Sequence, residues 1–328
     1  MKIIIVTTEK DGLKESGFGG VPACLAIKEA LRNRFGHIRI SICGRENDMD
    51  VVAQNHPDLV ILAAKYIPSR KSQKVWFSDY FEENGINFTG SKRYALRLGS
   101  NKIRAKKAVK KQGIETAPYM VVDKNNFPSE GDIKMAYPIF VKPLDAANGN
   151  GIDENSLVQN YGEFKRKSDQ LFQKYGARII AEKYLSGREF TVSVIEDEVN
   201  QKYCVSPIEI IAPMNKCGIR ILGEKVKQCN VEELKRVDDE VLRQKLIKIA
   251  LHCFKALDAR DFARIDIKQD ENNRCNFIEA NLVPGMTEGS SYFPKAFEID
   301  KGINYSEITR LMLRNAMSRV KMQSVSAD

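Results

Sequence analysis

Hydrophobic segments and helix-forming segments alternate in the N-terminal part of this 328-residue chain. Segments Lys2–Thr8, Ile38–Cys43 and Leu59–Ala63 are rich in β-branched residues and have the length of buried strands. A glycine-rich turn follows the first of them and leads to Pro22, a residue that suits the first turn of a helix. Strands and helices that alternate with short connections build a parallel sheet with helices on both faces. We therefore predict a doubly wound α/β domain at the N-terminus.

A β-hairpin later in the chain carries a clear pattern of polar residues. Its two predicted strands are Phe262–Lys268 and Cys275–Asn281. Because alternate side chains of a strand share a face, Arg264 and Asp266 lie on one face of the first strand, and Glu279 and Asn281 on one face of the second. If the two polar faces coincide, Asp266, Glu279 and Asn281 converge as oxygen donors, which are the ligands that Mg²⁺ prefers. A solvated strand face produces the same alternation.

Charge and metal-binding residue types limit the classes of function. The chain has 52 Lys and Arg against 43 Asp and Glu, a net charge of +9, and the segment Lys92–Lys111 is basic without an acidic residue. Such a local basic helix fits a phosphate-bearing ligand or a solvated face, whereas proteins that follow a nucleic-acid backbone usually spread their charge. The 7 cysteines form no CxxC pair and the 3 histidines are scattered, which argues against zinc and disulfides. A catalytic metal would then use oxygen ligands.

The longest apolar runs are far shorter than the ~20 residues that a membrane helix needs. The run after Lys2 is followed by charged and polar residues, which is not typical of a signal peptide. We therefore expect a cytoplasmic protein with neither a membrane nor a nucleic acid as its partner. A nicotinamide-dependent oxidoreductase is disfavoured because the glycine-rich turn lacks the GxGxxG spacing.

Several motifs, in this order, resemble the ATP-grasp superfamily, and within it the chain is most similar to the D-alanine–D-alanine ligase group. They are Val141-Lys142-Pro143 before a glycine-rich loop, the segment Ala181–Val192, the hairpin, and the segment Leu282–Thr287. The similarity extends from about Thr89 to Arg314. It implies a mixed α/β and α+β protein in which the N-terminal doubly wound sheet is followed by a two-part ATP-grasp fold. The expected divisions are an N-terminal domain at 1–93, a central subdomain at 94–178 and a C-terminal catalytic subdomain at 179–328.

The resemblance also implies an activity, the ATP-dependent joining of a carboxylate to an amine through an acyl phosphate. The first expectation is that two D-alanines are joined to D-alanyl-D-alanine, a cell-wall precursor, with release of ADP and phosphate. The alternative is a ligase that joins other amino acids, or an amino acid to another amine, in specialised metabolism. ATP and Mg²⁺ are the implied cofactors, with two metal ions expected and Mn²⁺ as a substitute. Amino acids are the implied partners, and a homodimer is left open.

Roles for individual residues follow from the same resemblance. The implied nucleotide-binding residues are Lys102, Lys142, Glu182, Lys183, Tyr184, Leu185, Glu189 and Lys225. The implied metal ligands are Asp266, Glu279 and Asn281. Arg264 and the Gly285 N–H match the groups that stabilise an oxyanion. Ser291 and Tyr292 fall near the binding point for the carboxylate of the second substrate.

The chain departs from the group where the amino acids would bind. The N-terminal pattern whose glutamate orients the first D-alanine is absent, and Glu15 is only a candidate replacement. The loop Ala146–Gly151 has lost the serines of the phosphate-covering loop, and Val226 follows Lys225 where the group has a tyrosine. The segment Gly285–Pro294 is one residue longer than the corresponding segment of the group. The residues implied to bind the nucleotide are retained, and the amino-acid half of the pattern is altered.

Overall fold

A computed structural model describes residues 1–9, 17–67, 74–144, 149–176 and 178–325. The strands are β1 Lys2–Thr7, β2 His37–Ile42, β3 Leu59–Leu62, β4 Tyr66–Ile67, β5 Val75–Trp76, β6 Tyr119–Val122, β7 Ile139–Pro143, β8 Leu157–Val158, β9 Ile179–Lys183, β10 Glu189–Asp197, β11 Lys202–Ile211, β12 Glu233–Arg236, β13 Phe262–Gln269 and β14 Cys275–Asn281. The α-helices are α1 Val21–Leu31, α2 Glu46–Gln54, α3 Phe77–Glu83, α4 Arg93–Gly99, α5 Lys102–Lys111, α6 Tyr161–Tyr175, α7 Glu224–Cys229, α8 Glu240–Ala256, α9 Tyr292–Lys301 and α10 Tyr305–Val325. In the described part of the chain, no helix combines the length and the apolar character of a membrane span.

The N-terminal sheet has the predicted parallel arrangement. Its strand order is β2-β1-β3, and β1 pairs in parallel with both neighbours. Successive residues of β1 pack into different hydrophobic clusters: Ile3 and Ile5 into one, Ile4 and Val6 into the other. Burial of both faces is typical of a sheet covered by helices on either side. The prediction of a doubly wound sheet is confirmed.

The C-terminal sheet is antiparallel, with the strand order β12-β11-β10-β13-β14. The predicted hairpin forms its β13 and β14 strands. The pairing shifts by one residue between Asp266 and Ile267, because Ile278 is an extra residue in β14. Helix α8 buries an apolar stripe, including Leu242, Leu246 and Cys253, against this sheet.

A second antiparallel sheet, with the order β6-β9-β7-β8, lies between these two in the sequence. Strand β9 pairs with β6 and β7, although the expected boundary at 178/179 assigns it to the C-terminal part. Its hydrogen bonds therefore favour a boundary after Lys183. We propose that division for the two halves of the ATP-grasp fold.

Candidate active site

A cleft between the two antiparallel sheets contains most of the residues that the sequence singled out. Strands β7 and β9 form one wall, and β10, β13 and β14 contribute to the other. The predicted residues that line the cleft are Lys102, Lys142, Glu182, Lys183, Tyr184, Leu185, Glu189, Asp266, Glu279 and Tyr292. The structure thus brings together residues that are far apart in the sequence.

The hairpin places its acidic residues opposite one another. Asp266 pairs with Glu279 and Arg264 pairs with Asn281, and directly opposed residues in an antiparallel pair project from the same face. The Asn281 amide nitrogen lies 3.5 Å from Oδ2 of Asp266. Thr191, which faces Asp266 from β10, donates a hydrogen bond of 2.6 Å to Asp266 Oδ1. The two polar faces therefore coincide.

The oxygen donors of this cluster are those that Mg²⁺ prefers: two carboxylates and an amide. The described residues contain no group of three or more His, Cys, Asp or Glu that could hold a metal ion. Asn281 is needed as the third donor, and Mg²⁺ usually keeps several waters beside a few protein ligands. The donor set of Asp266, Glu279 and Asn281 fits magnesium.

Glu279 is surrounded by positive charge. Burial alone would raise the pKa of its carboxyl group, but Lys102, Lys227 and Lys142 outweigh this effect and hold the pKa at about 2. The Lys102 ammonium lies 3.4 Å from Glu279 Oε2. A cleft that concentrates cations around two carboxylates can accommodate an anionic, metal-bound ligand such as a nucleotide phosphate.

The third lysine of this group differs from the one predicted. Lys225 is exposed and is absent from the cleft lining, whereas Lys227 lines the cleft. Both belong to the short helix α7, and residues two apart on a helix point in different directions. The structure therefore does not bring Lys225 into the cleft lining, and it places Lys227 there instead.

Glu182 is buried between two lysines. Its Oε1 lies 2.8 Å from the Lys106 ammonium, and its Oε2 lies 2.6 Å from the Lys142 ammonium. Burial alone would raise the pKa of Glu182, but the two ammonium groups outweigh it and lower the pKa to about 2. Lys106 was not predicted from the sequence, because only the packing of α5 against β14 distinguishes it from the other cations of its segment.

The segment after β9 and the start of β10 complete the nucleotide side of the cleft. Tyr184 stacks on Phe140 with 6.4 Å between ring centroids, and Leu185 is buried. Glu189 lies at the first position of β10 and accepts a hydrogen bond of 2.8 Å from Lys268. Glu189 is thereby held at the cleft wall with a carboxylate available to further donors.

Arg264 is held by two neighbours. Its Nε and Nη2 donate to the two carboxylate oxygens of Asp266 at 3.1 and 3.0 Å, and its guanidinium lies 5.5 Å from the centroid of the Tyr292 ring. The Tyr292 hydroxyl in turn donates to Glu232, a contact between distant segments that the sequence did not indicate. These contacts fix the planar guanidinium beside the acidic cluster.

The loop between β14 and α9 contains Gly285 and Ser291 in close contact. A Cβ atom at Gly285 would lie 2.8 Å from the Ser291 hydroxyl oxygen, so a side chain there would displace it. That oxygen accepts a hydrogen bond of 2.9 Å from the Thr287 N–H. Glu15, the remaining candidate, lies outside the described residues, as does the loop segment 145–148.

Comparison with known proteins finds relatives that are D-alanine–D-alanine ligases. A family model described as the C-terminus of D-alanine–D-alanine ligase matches residues 108–314. The chain is 29% identical over 261 residues to the D-alanine–D-alanine ligase of Aquifex aeolicus, covering 78% of this chain and 82% of that protein. It is 31% identical over 211 residues to the corresponding ligase of Pseudoalteromonas translucida, covering 62% and 64%.

Solved structures support the same fold. The Bacillus anthracis D-alanine–D-alanine ligase complexed with ATP superimposes with a TM-score of 0.74 at 21% identity, covering 98% of this chain and 99% of that one. The VanG D-Ala:D-Ser ligase from Enterococcus faecalis gives a TM-score of 0.68 at 18% identity, covering 96% and 99%. At these sequence identities the structural similarity shows a shared fold.

Proposed function

The chain belongs to the D-alanine–D-alanine ligase family, and from that premise we propose that it joins two molecules of D-alanine at the expense of ATP. A carboxylate oxygen of the first D-alanine attacks the γ-phosphorus, and ADP leaves. The amine of the second D-alanine then attacks the carbonyl carbon of the acyl phosphate, and inorganic phosphate leaves. The observation that carries the proposal is the opposition of Asp266 and Glu279 in a cleft lined by lysines.

The lysines of the cleft bind the phosphates. Lys102, Lys142 and Lys227 are the three cations that lower the pKa of Glu279 most strongly, and all three line the cleft. Phosphoryl transfer depends mainly on positioning and on charge neutralisation, and this chain needs no protein nucleophile for it. Lys142 must turn from Glu182 toward the phosphates when the nucleotide binds.

The other end of the cleft binds the nucleoside. Glu182 accepts a hydrogen bond from the adenine amino group, and the segment Lys183 to Leu185 lies behind the base. Glu189 accepts hydrogen bonds from the ribose hydroxyls. The support for these roles is the position of all five residues on the cleft wall and the ionised state of Glu182.

Asp266, Glu279 and Asn281 would hold Mg²⁺. When bound, the metal would neutralise charge on the nucleotide phosphates. Both carboxylates have cationic partners, since the Arg264 guanidinium lies 3.0 Å from Asp266 and the Lys102 ammonium lies 3.4 Å from Glu279.

The remaining residues act on the amino acids. The Arg264 guanidinium and the Gly285 N–H stabilise the oxyanion that forms when the amine attacks the acyl phosphate. Ser291 binds the carboxylate of the second D-alanine, and Tyr292 lies beside that point, since its hydroxyl proton is donated to Glu232. The contact of Arg264 with the Tyr292 ring supports this division, because it places the oxyanion group next to the proposed carboxylate-binding point.

ADP release measured against all D- and L-amino acids, alone and in pairs, tests the proposal. We expect release with D-alanine alone, accompanied by D-alanyl-D-alanine. Release with another pair and none with D-alanine would refute the substrate assignment. Lys227→Ala and Lys225→Ala are matched variants, and only Lys227→Ala is expected to weaken nucleotide binding.

A further inference from the structure

The Lys106 side chain is completely buried, although it belongs to a basic segment of which the proposed function uses only Lys102. It lies one turn after Lys102 on helix α5, which packs against β14. Its ammonium group is 2.8 Å from Glu182 and 3.4 Å from the Phe277 carbonyl oxygen, which accepts a hydrogen bond from it. Burial of an ammonium group is costly unless it is paired, so this position calls for a specific role.

Lys106 and Lys142 approach Glu182 from different sides. Lys142 and Glu182 line the nucleotide cleft, and Lys106 does not. Lys106 instead borders a separate surface depression, together with Lys107. Glu182 therefore has one cationic partner that lines the cleft and one that does not.

The two lysines that pair with Glu182 respond differently when a nucleotide binds. Lys142 turns toward the phosphates, as the proposed function requires, and Glu182 then keeps Lys106 as its counter-ion. Among the described residues, the other titratable neighbours of the Lys106–Glu182 pair are Tyr119, which pairs with Glu182 across β6 and β9, and Glu279 on β14. Neither of them can supply a positive charge.

We propose that Lys106 is a positioning residue that keeps Glu182 ionised in the nucleotide complex and so sets the preference for adenine over guanine. The proposal rests on the proposed function. An ionised carboxylate only accepts hydrogen bonds, which suits the 6-amino group of adenine, whereas a protonated carboxyl can donate one to the 6-oxo group of guanine. Without Lys106, a buried Glu182 that loses Lys142 takes up a proton, because burial disfavours the charged form.

Equilibrium binding of ATP and of GTP in the same magnesium buffer tests this without relying on turnover. The variants are Lys106→Met, Lys106→Arg and, as a control, Lys107→Met, since Lys107 is the exposed neighbour on the same helix. We expect the ratio of ATP affinity to GTP affinity to fall roughly 10- to 100-fold in Lys106→Met, which corresponds to the loss of one charge-assisted hydrogen bond. Lys106→Arg should keep most of the preference, and Lys107→Met all of it.

A purely structural role predicts a different result. Lys106→Met would then melt at a lower temperature but keep the wild-type ratio, and this outcome overturns the proposal. If Lys106→Met does not fold, the comparison of Glu182→Gln with Glu182→Gln/Lys106→Met decides, because the double variant removes both charges of the buried Lys106–Glu182 pair. The proposal predicts equal ATP-to-GTP ratios in these two variants, and a further fall in the double variant contradicts it.

The same data separate this proposal from the proposed function. Wild-type protein that binds neither nucleotide refutes the proposed function, and the role of Lys106 falls with it. Wild-type protein that prefers ATP, beside a Lys106→Met variant with the same preference, refutes the role of Lys106 alone.

Discussion

Replacing Arg264 by lysine keeps the positive charge beside Asp266 but removes the planar group that binds both carboxylate oxygens. The wild-type guanidinium makes two hydrogen bonds to Asp266, at 3.1 and 3.0 Å, and lies over the Tyr292 ring. Lysine can replace at most one of these hydrogen bonds in that geometry. The substitution therefore tests whether Arg264 is held in place for the chemical step.

The expected effect follows from these contacts. A hydrogen bond to a charged group contributes about 1.5–3 kcal/mol, and a cation over an aromatic ring about 0.5–2 kcal/mol. Loss of one oxyanion donor lowers turnover by roughly 100- to 1,000-fold, or about 2.7–4 kcal/mol. We expect Arg264→Lys to bind ATP with nearly wild-type affinity and to turn over at least ~100-fold more slowly.

Calorimetric titration with ATP and the rate of ADP release at saturating substrates measure the two quantities separately. Arg188→Lys is the matched control: Arg188 makes two hydrogen bonds to Glu209, at 2.9 and 2.6 Å, and lies over the Phe190 ring, but its partner Glu209 is not one of the proposed metal ligands. We expect it to leave turnover unchanged. If ATP affinity collapsed in Arg264→Lys while turnover per bound complex stayed at the wild-type level, Arg264 would be a nucleotide-binding or structural residue.

Three further predictions concern the acidic cluster, the buried carboxylate and the thiols. Glu279→Gln should cost several kcal/mol of transition-state stabilisation, measured as a fall of roughly 100-fold or more in ADP formation, and a wild-type rate would remove Glu279 from the site. Because the pKa of Glu182 is lowered from 4.5 to about 2, its stabilisation of the fold is complete above pH 4.5 and is lost as the pH falls toward 2. The unfolding free energy of the wild type should therefore decrease over that pH window by roughly 3 kcal/mol more than that of Glu182→Gln. Parallel plots of unfolding free energy against pH for the two proteins would refute the ion pairs of Glu182. Iodoacetamide at pH 8 should label the exposed Cys217 and Cys229 in the folded protein, as read by peptide mass spectrometry. Burial raises the thiol pKa of Cys24, Cys43 and Cys253, so these three should stay unlabelled until the chain is unfolded.

Periodicity in the sequence was enough to predict the N-terminal sheet and the hairpin that carries the acidic cluster. The run of β-branched residues at Lys2–Thr8 predicted β1, and the alternation in Phe262–Lys268 predicted which face of β13 is polar. The register that sets Asp266 opposite Glu279 was a conditional prediction, since it needs the two strands to align. The bulge at Ile278 was not predictable, because no glycine or other local signal marks it.

Contacts that depend on packing were beyond the sequence. Lys225 and Lys227 differ only in which face of α7 they occupy, and the orientation of that short helix depends on its neighbours. The burial of Lys106 depends on α5 packing over β14, and the hydrogen bond from Tyr292 to Glu232 joins residues 60 positions apart. Long-range contacts of this kind decide which members of a basic or acidic segment belong to the site.

Isotope transfer tests whether the protein joins a carboxylate to an amine through an acyl phosphate. The protein is incubated with ATP, Mg²⁺ and D-alanine that carries ¹⁸O in both carboxylate oxygens, and the released phosphate and the peptide are analysed by mass spectrometry. An acyl-phosphate route predicts one ¹⁸O atom in each phosphate and one in the new peptide carbonyl, with ADP formed in equal amount to D-alanyl-D-alanine. Phosphate that carries oxygen from water, or ADP release that does not depend on the amino acid, would contradict it.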